Sequence, residues 1–431
     1  MLDKKTKILL ISINAWTEDI STGNTFSNFF SGWNKKNIAQ IYCREEMPKN
    51  DICEKYYRMS ESQIIRYFKT KKPIGKSFKL NSNIEVKKTE NKEKQIYKSA
   101  RKVRLTLFVM LRDFLWRIAP WKNDSLKKFL DEFQPDVIYM HSHRALYMHM
   151  LFAYIAKYTG AKCILFVGDD MAGYKKFMIS PLAWIYQILI RRRVKKTVSL
   201  CSLRYAISQK LQKEYSKIFK TEFKLLRKGG EFSDDFKPKT EVSSPISLIY
   251  AGNMFFKRYN ILAEIKKAMA ILNQNQVEFV MNIYTGNHLT EKIKKSLSNP
   301  NVFIHQPVSI EELKKKYQQS DLALHVESFA VKPRLNLRLS FSTKILDCIQ
   351  GGNAILAIGP KENAGIEYLK NEAVAIIVNS KDDIMSTLVR ILSDPKIILK
   401  YSKKVHALGI KNHKIEVVRQ GLYSDIDQIL K

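Results

Sequence analysis

The feature that most constrains this chain is an alternation that fills its second half. Six short apolar runs, at residues 246–251, 277–284, 301–305, 322–326, 354–358 and 374–377, are separated by amphipathic segments with helical spacing. Continuous apolar runs of this length suit strands buried on both faces. Strand and helix in uninterrupted alternation predict a parallel sheet with right-handed crossovers. Such sheets take their ligands at the carboxyl ends of the strands, so the residues that follow each run matter most.

The run at 322–326 ends on Glu327, and a polar, basic loop follows. Ser342, Thr343 and Lys344 then open a helix whose Ile345, Leu346 and Ile349 share one face, and Gly351-Gly352 closes it. The strand at 354–358 stops at the turn pair Gly359-Pro360. A helix N-terminus offers unpaired N–H groups and partial positive charge, so a diphosphate is expected on Ser342, Thr343 and Lys344, where Lys344 adds a full charge. Glu327 and Asp347 can accept hydrogen bonds from sugar and ribose hydroxyls. Gly252-Asn253, with Lys257 and Arg258 in the turn that follows, forms a second phosphate-like corner.

These residues resemble the donor-binding segment of GT-B-type glycosyltransferases, in the group of bacterial enzymes that build capsules and other surface polysaccharides. Glu327-Ser328-Phe329 is similar to the family's Glu-x-Phe-Gly turn, and Asp347 stands where a second glutamate opens a Glu-Ala-Met-Ala-x-Gly helix. Here Asp replaces Glu, no Gly follows Phe329, and the intervening loop is longer than usual. Ser342-Thr343-Lys344 resembles a divergent branch with Ser-Lys before this helix. The family commonly holds the diphosphate with a Gly-Arg and a later Lys; Asn253 stands in the Arg position, so the charge must come from Lys257 or Arg258. The resemblance implies an α/β chain of two Rossmann-like parallel-sheet domains facing across a cleft, with a nucleotide-diphosphate sugar as donor. Glu327 would orient the sugar and Asp347 the ribose, while the loops carrying Gly286 and Val308 border the base. Lys344, with Lys257 or Arg258, would stabilise the departing diphosphate, so no metal or other cofactor is expected.

At 431 residues the chain is too long for one ordinary core. A first domain is expected over 1–240, with strands at 7–13, 38–42, 136–140, 163–167 and 205–208 and a Lys-rich, weakly periodic excursion at about 45–102. A charged, Pro-containing linker at 231–245 leads to a second domain at 246–410, and a tail at 411–431 is expected to cross back as a helix. Residues 21–25 read as a polar turn before a helix beginning at Phe26, and by the resemblance Gly23, Asn24 and Thr25 face the cleft. The strands at 136–140 and 163–167 end in His141-Ser142-His143-Arg144 and Gly168-Asp169-Asp170 on one rim. His141, Asp169 and Asp170 are therefore the candidates for the base that takes the acceptor's proton. Asp425-Ile426-Asp427 has a metal-motif spacing, but in a helical tail it reads as chance.

Seventy-four Lys and Arg against 41 Asp and Glu give a formal charge of +33, which calls for an anionic partner or reflects a Lys-rich genome. The cations are spread over both halves without a nucleic-acid motif, so no nucleic acid is expected. Residues 103–121 are aromatic, apolar and basic together, and residues 179–190 form an apolar stretch followed at once by Arg191, Arg192, Arg193, Lys195 and Lys196. No uninterrupted apolar segment in the chain approaches the roughly 20 residues a membrane span needs. Both stretches suit an interfacial helix, which predicts a cytoplasmic protein held peripherally on the inner face of the membrane, near a glycan or lipid-linked acceptor. The five cysteines lack paired spacing and read as reduced thiols. The alternatives are a catalytically silent binding subunit, a nucleotide-sugar epimerase on the same fold, and a nucleic-acid or polyanion binder.

Overall fold

The computed structural model describes residues 5–18, 21–80, 106–232 and 239–431. The first sheet has eight strands: β1 (Ile8–Ser12), β2 (Ile38–Tyr42), β3 (Lys55–Arg58), β4 (Lys76–Lys79), β5 (Val137–His141), β6 (Lys162–Val167), β7 (Leu203–Ala206) and β8 (Lys224–Leu225). Their order is β4-β3-β2-β1-β5-β6-β7-β8, parallel throughout except for the antiparallel edge pair β3 and β4. The second sheet is wholly parallel: β9 (Ile246–Ala251), β10 (Phe279–Tyr284), β11 (Val302–His305), β12 (Leu322–Val326), β13 (Ala354–Ile358) and β14 (Ala375–Val378), ordered β11-β10-β9-β12-β13-β14.

In both sheets the chain winds outward from a central strand, then jumps across it. Strand β1 lies between β2 and β5, and β9 lies between β10 and β12. These reversals leave crevices above β1/β5 and β9/β12, where doubly wound sheets bind ligands. Alternation within strands decides which face each residue fills. Leu248 and Tyr250 of β9 join one buried cluster, while Ile249 and Ala251 join another. The second of these clusters continues into the first sheet's core, so the two sheets share one apolar body.

The chain's last helix, Ile415–Leu430, lies against the helix Ser21–Phe30 that follows β1. Tyr423 Oη donates to the carbonyl of Phe29 at 2.9 Å, and Arg419 Nε donates to that of Asn28 at 2.8 Å. Asp425 accepts from Tyr205 Oη and Lys224 Nζ, both at 2.6 Å, which gives that carboxylate a structural role.

Three local expectations are corrected or refined. The helix after β1 begins at Ser21, so Gly23, Asn24 and Thr25 belong to its first turns instead of preceding it. The weakly periodic excursion contains β3, a capped helix Glu61–Thr70 and β4; its residues 81–102 lie outside the described set. The aromatic segment forms a helix Thr106–Ile118, and residues 103–105 are also outside that set.

Candidate active site

The corner above β9 and β12 is built around a missing side chain. Gly252, directly after β9, has φ +139°, and a Cβ there would stand 2.1 Å from Lys344 Nζ. The Lys344 side chain therefore lies across the Gly252 backbone, where no other residue would admit it. Its ammonium donates to Tyr250 Oη at 3.0 Å and to the Asn253 carbonyl at 3.3 Å, and sits 4.7 Å from the centre of the Tyr250 ring. Burial pushes the Lys344 pKa down to about 8, and the nearby Arg258 charge adds to the shift. A diphosphate brought to this ammonium would favour its charged form.

Beside it, Arg258 opens the helix Arg258–Leu272 and turns back toward Glu327 at the end of β12. Arg258 Nη2 donates to both carboxylate oxygens of Glu327, at 2.8 and 3.0 Å, and Nε donates to one of them at 3.2 Å. The remaining amino group, Nη1, donates to Asn253 Oδ1 at 2.9 Å. Asn253 thus holds Lys344 through its carbonyl and Arg258 through its side chain. Lys257 stands apart, exposed, in a left-handed backbone conformation at φ 62°. Under the corner lies His325, a buried imidazole that sequence reasoning passed over as strand filler. Burial and the Arg258 and Lys344 charges push its pKa down to about 3, so it is neutral.

Asp347 and Thr343 line a cleft of about 530 Å³, together with Asn24 and Asn28 of the first sheet's leading helix and Lys228 of the irregular segment after β8. Asp347 opens on this cleft, yet the walls on either side remove enough water to raise its carboxyl pKa; Lys228 and Lys344 oppose that shift. Lys228 Nζ donates to Asn24 Oδ1, so one lysine connects a first-sheet residue with the second-sheet carboxylate. Asn28 locks this connection in place: its amide donates to the Gly229 carbonyl at 2.7 Å and accepts from the Gly229 N–H at 2.8 Å. Gly23 is packed against Thr17, whose carbonyl would lie 2.1 Å from a Cβ at that position, so its smallness serves packing. Ser342 is half-buried one residue before Thr343. Gly286 follows β10 and abuts Pro307, and Val308 follows β11 at the margin of the shared core. The neighbouring Asn287 Oδ1 accepts from Met254 N at 2.6 Å, tying this edge to the phosphate corner.

Across the cleft, the adjacent acids after β6 separate. Asp170 is buried and committed to its own loop, accepting from Gly173 N at 2.7 Å and Tyr215 Oη at 3.0 Å. Asp169 instead reaches the second sheet's side, accepting from Ser340 Oγ at 2.6 Å. His141 ends β5 with its ring 5.1 Å from that of His143. Burial pushes the His141 pKa down to about 4, against the pull of Asp169, so the imidazole is neutral. Gly168 leaves room for it, since a Cβ there would come within 3.3 Å of His141 Nε2. Among the described residues, no three His, Cys, Asp or Glu side chains gather as a metal site.

Two doubly wound parallel sheets in this order have counterparts among known structures. HepE from Anabaena, solved with UDP and glucose, superimposes with a TM-score of 0.62 over 98% of this chain and 100% of its own, at 11% identity. Sucrose-phosphate synthase from Thermosynechococcus elongatus gives 0.63 over 98% and 99% of the two chains, at 12% identity. The chain has the GT-B fold. An E. coli trehalose-6-phosphate protein of the GT-B fold, bound with UDP-2-fluoro glucose, gives 0.59 over 98% and 99%, at 10% identity. No protein-family model and no curated protein sequence matches the chain. In GT-B terms, Lys344, Arg258 and Glu327 stand on the second sheet's side of the cleft, and His141 and Asp169 on the first.

Proposed function

We propose that the protein transfers a sugar from a nucleotide-diphosphate sugar to a hydroxyl of a glycan acceptor in bacterial surface-polysaccharide assembly. The observation that carries this reading is the corner in which Lys344 crosses Gly252 beside the Arg258–Glu327 pair. Lys344 has the charge and position for a diphosphate, and Ser342 and Thr343 supply neighbouring donors. Arg258 already uses Nε, Nη1 and Nη2 on Glu327 and Asn253, so it acts as a positioning residue that keeps Glu327 oriented toward sugar hydroxyls. Asp347 and Lys228 flank a cleft of about 530 Å³, within the range of small-ligand pockets. Ribose and base would occupy it.

In the reaction the acceptor oxygen bonds to the anomeric carbon, the bond from that carbon to the diphosphate oxygen breaks, and the acceptor's proton passes to His141 or Asp169. Lys344 stabilises the negative charge that grows on the leaving diphosphate, an interaction stronger in the transition state than before it. This assigns the leaving-group charge to a side chain and makes the reaction metal-independent. The UDP, UDP-glucose and UDP-2-fluoro glucose in structures of the same fold favour a diphosphate donor.

The test is release of nucleoside diphosphate from a panel of nucleotide sugars, with and without glycan acceptors and with EDTA. Turnover with one donor, at least about 100-fold lower in Lys344→Ala, is expected. Nucleotide binding without any turnover would instead mean a binding subunit, and inversion of a sugar centre without transfer would mean an epimerase.

A further inference from the structure

An unpaired apolar surface lies on two adjoining helices of the first sheet's side, Thr106–Ile118 and Pro181–Leu200. The first turns Asp113 and Trp116 inward and leaves Leu107, Phe108, Leu111, Phe114 and Ile118 each at least half exposed. Those positions form one stripe of a helix that faces away from the core. On the second helix the outward positions change character along the axis. Leu182, Ile185 and Ile188 are exposed in its first half, and Arg192, Lys195 and Lys196 continue the same side in its second.

Between the helices runs a groove of about 670 Å³ with Met110, Phe114, Met150 and Leu189 in its walls and Arg117, Arg192, Arg193, Lys195 and Lys196 around it. None of these five cations has a hydrogen-bond or ion-pair partner among the described residues. Asp113, an acid in the groove wall, is committed to Tyr186 Oη at 2.7 Å, Leu146 N at 3.1 Å and Arg112 at 2.9 Å. Apolar side chains beside uncompensated cations match a surface with acyl chains below and phosphates above. Residues 81–105 of this chain carry eight Lys and Arg against three Glu, so they bring the wrong charge to cover it.

We infer that this two-helix face docks on an anionic lipid bilayer, the apolar stripes entering the acyl region and the Arg192–Lys196 edge meeting lipid phosphates. The face is tied to the acceptor rim. Gln187 Nε2 donates to the carbonyls of Met171 and Gly173 at 2.8 and 2.9 Å, and its Oε1 accepts from Arg144 Nη2 at 3.0 Å, directly after the β5 and β6 strand ends. Ile179, 82% exposed just before the second helix, and Phe177, whose N–H donates to Asn336 Oδ1 at 3.0 Å, bring the patch to the cleft mouth. A glycan carried on a membrane lipid would meet the His141–Asp169 side of the cleft. That last step rests on the glycosyl-transfer reading, whereas docking itself does not.

The test is co-sedimentation of the full chain, without nucleotide, with phosphatidylcholine vesicles and with vesicles containing roughly 30% phosphatidylglycerol, at about 0.1 M and about 0.5 M salt. Binding to the anionic vesicles alone at low salt is expected. It should weaken at least about tenfold both in Arg192→Glu with Lys196→Glu and in Phe114→Ser with Ile185→Ser. Unchanged melting temperature, and nucleotide-diphosphate affinity equal to that of the parent, show that these variants fold. No vesicle binding, equal binding to neutral vesicles, or undiminished binding by both variants would overturn the inference. So would a lipid-free dimer that Phe114→Ser with Ile185→Ser makes monomeric. Nucleotide affinity, read separately, shows whether the transfer reading fails with it or stands.

Discussion

Arg258 and Glu327 grip one another with three hydrogen bonds of 2.8, 3.0 and 3.2 Å at the mouth of the second sheet, each residue less than a tenth exposed. Two charges so dehydrated are held by mutual compensation, so removing either strands the other. Arg258→Met should destabilise the protein by about 3–5 kcal/mol. Arg258→Met combined with Glu327→Leu should lose markedly less than the sum of the single changes. Urea unfolding of the four proteins in the cycle measures this, and additivity would contradict the pairing.

Lys344 makes the corner pH-sensitive. Its pKa, lowered from 10.5 to about 8, means that the unfolded chain holds this proton more tightly than the folded one. Between those values the unfolded state binds more protons, so the group's contribution makes stability rise with pH across that window. Lys344→Met should flatten that part of the profile. Because a diphosphate favours the ammonium, its affinity should fall as pH rises above about 8, and binding near that pH should take up protons. Calorimetry in buffers of different ionisation enthalpy detects the uptake, which should vanish in the variant.

The second sheet was almost fully legible because its strands are buried on both faces: β9, β12 and β13 coincide with the apolar runs at 246–251, 322–326 and 354–358. The two outermost strands on the β4 side were not legible. KYYR of β3 and KSFK of β4 are short, bounded by cations and paired antiparallel at the sheet's rim, where no continuous apolar run is needed. At the site, sequence brought forward Lys344, Glu327 and Gly252 but could not divide the work between Lys257 and Arg258. That depends on the left-handed turn at Phe256 and Lys257, which sends one side chain outward and the next inward. Asp169 and Asp170 were equally invisible as opposites, since only the loop geometry commits one to Tyr215 and frees the other to meet Ser340. Lys228 carries no motif; it matters because Asn28 clamps the backbone beside it.

Phe256 and Lys257 hold φ of 59° and 62°, an unfavourable region for residues with a Cβ. Lys257→Gly should relieve about 1 kcal/mol of that strain, partly offset by the flexibility glycine gives the unfolded chain. Thermal unfolding should show stability unchanged or raised. Nucleotide affinity should stay within about twofold, because the variant leaves Lys344 and Arg258 in place; a loss of about tenfold would make Lys257 a diphosphate ligand.

The two sides of the cleft are joined by Arg338, which donates to both oxygens of Glu214 at 2.7 and 2.6 Å, and by the Ser340–Asp169 bond. Both pairs lie away from the donor corner. Arg338→Ala should therefore leave nucleotide affinity within about twofold of the parent and reduce transfer about tenfold or more by misaligning acceptor and donor. Comparing the nucleotide Kd with kcat/KM for the acceptor separates the two effects, and an equal loss in both would contradict the division of roles.

The central claim is that a nucleotide-diphosphate group sits on Lys344, and direct calorimetric titration with UDP, GDP, ADP and CMP tests it most simply. One nucleoside diphosphate should bind in the presence of EDTA, CMP should not, and Lys344→Ala should weaken the binding at least about tenfold while melting as a folded protein. Binding of no diphosphate, or binding that Lys344→Ala leaves unchanged, would contradict the account.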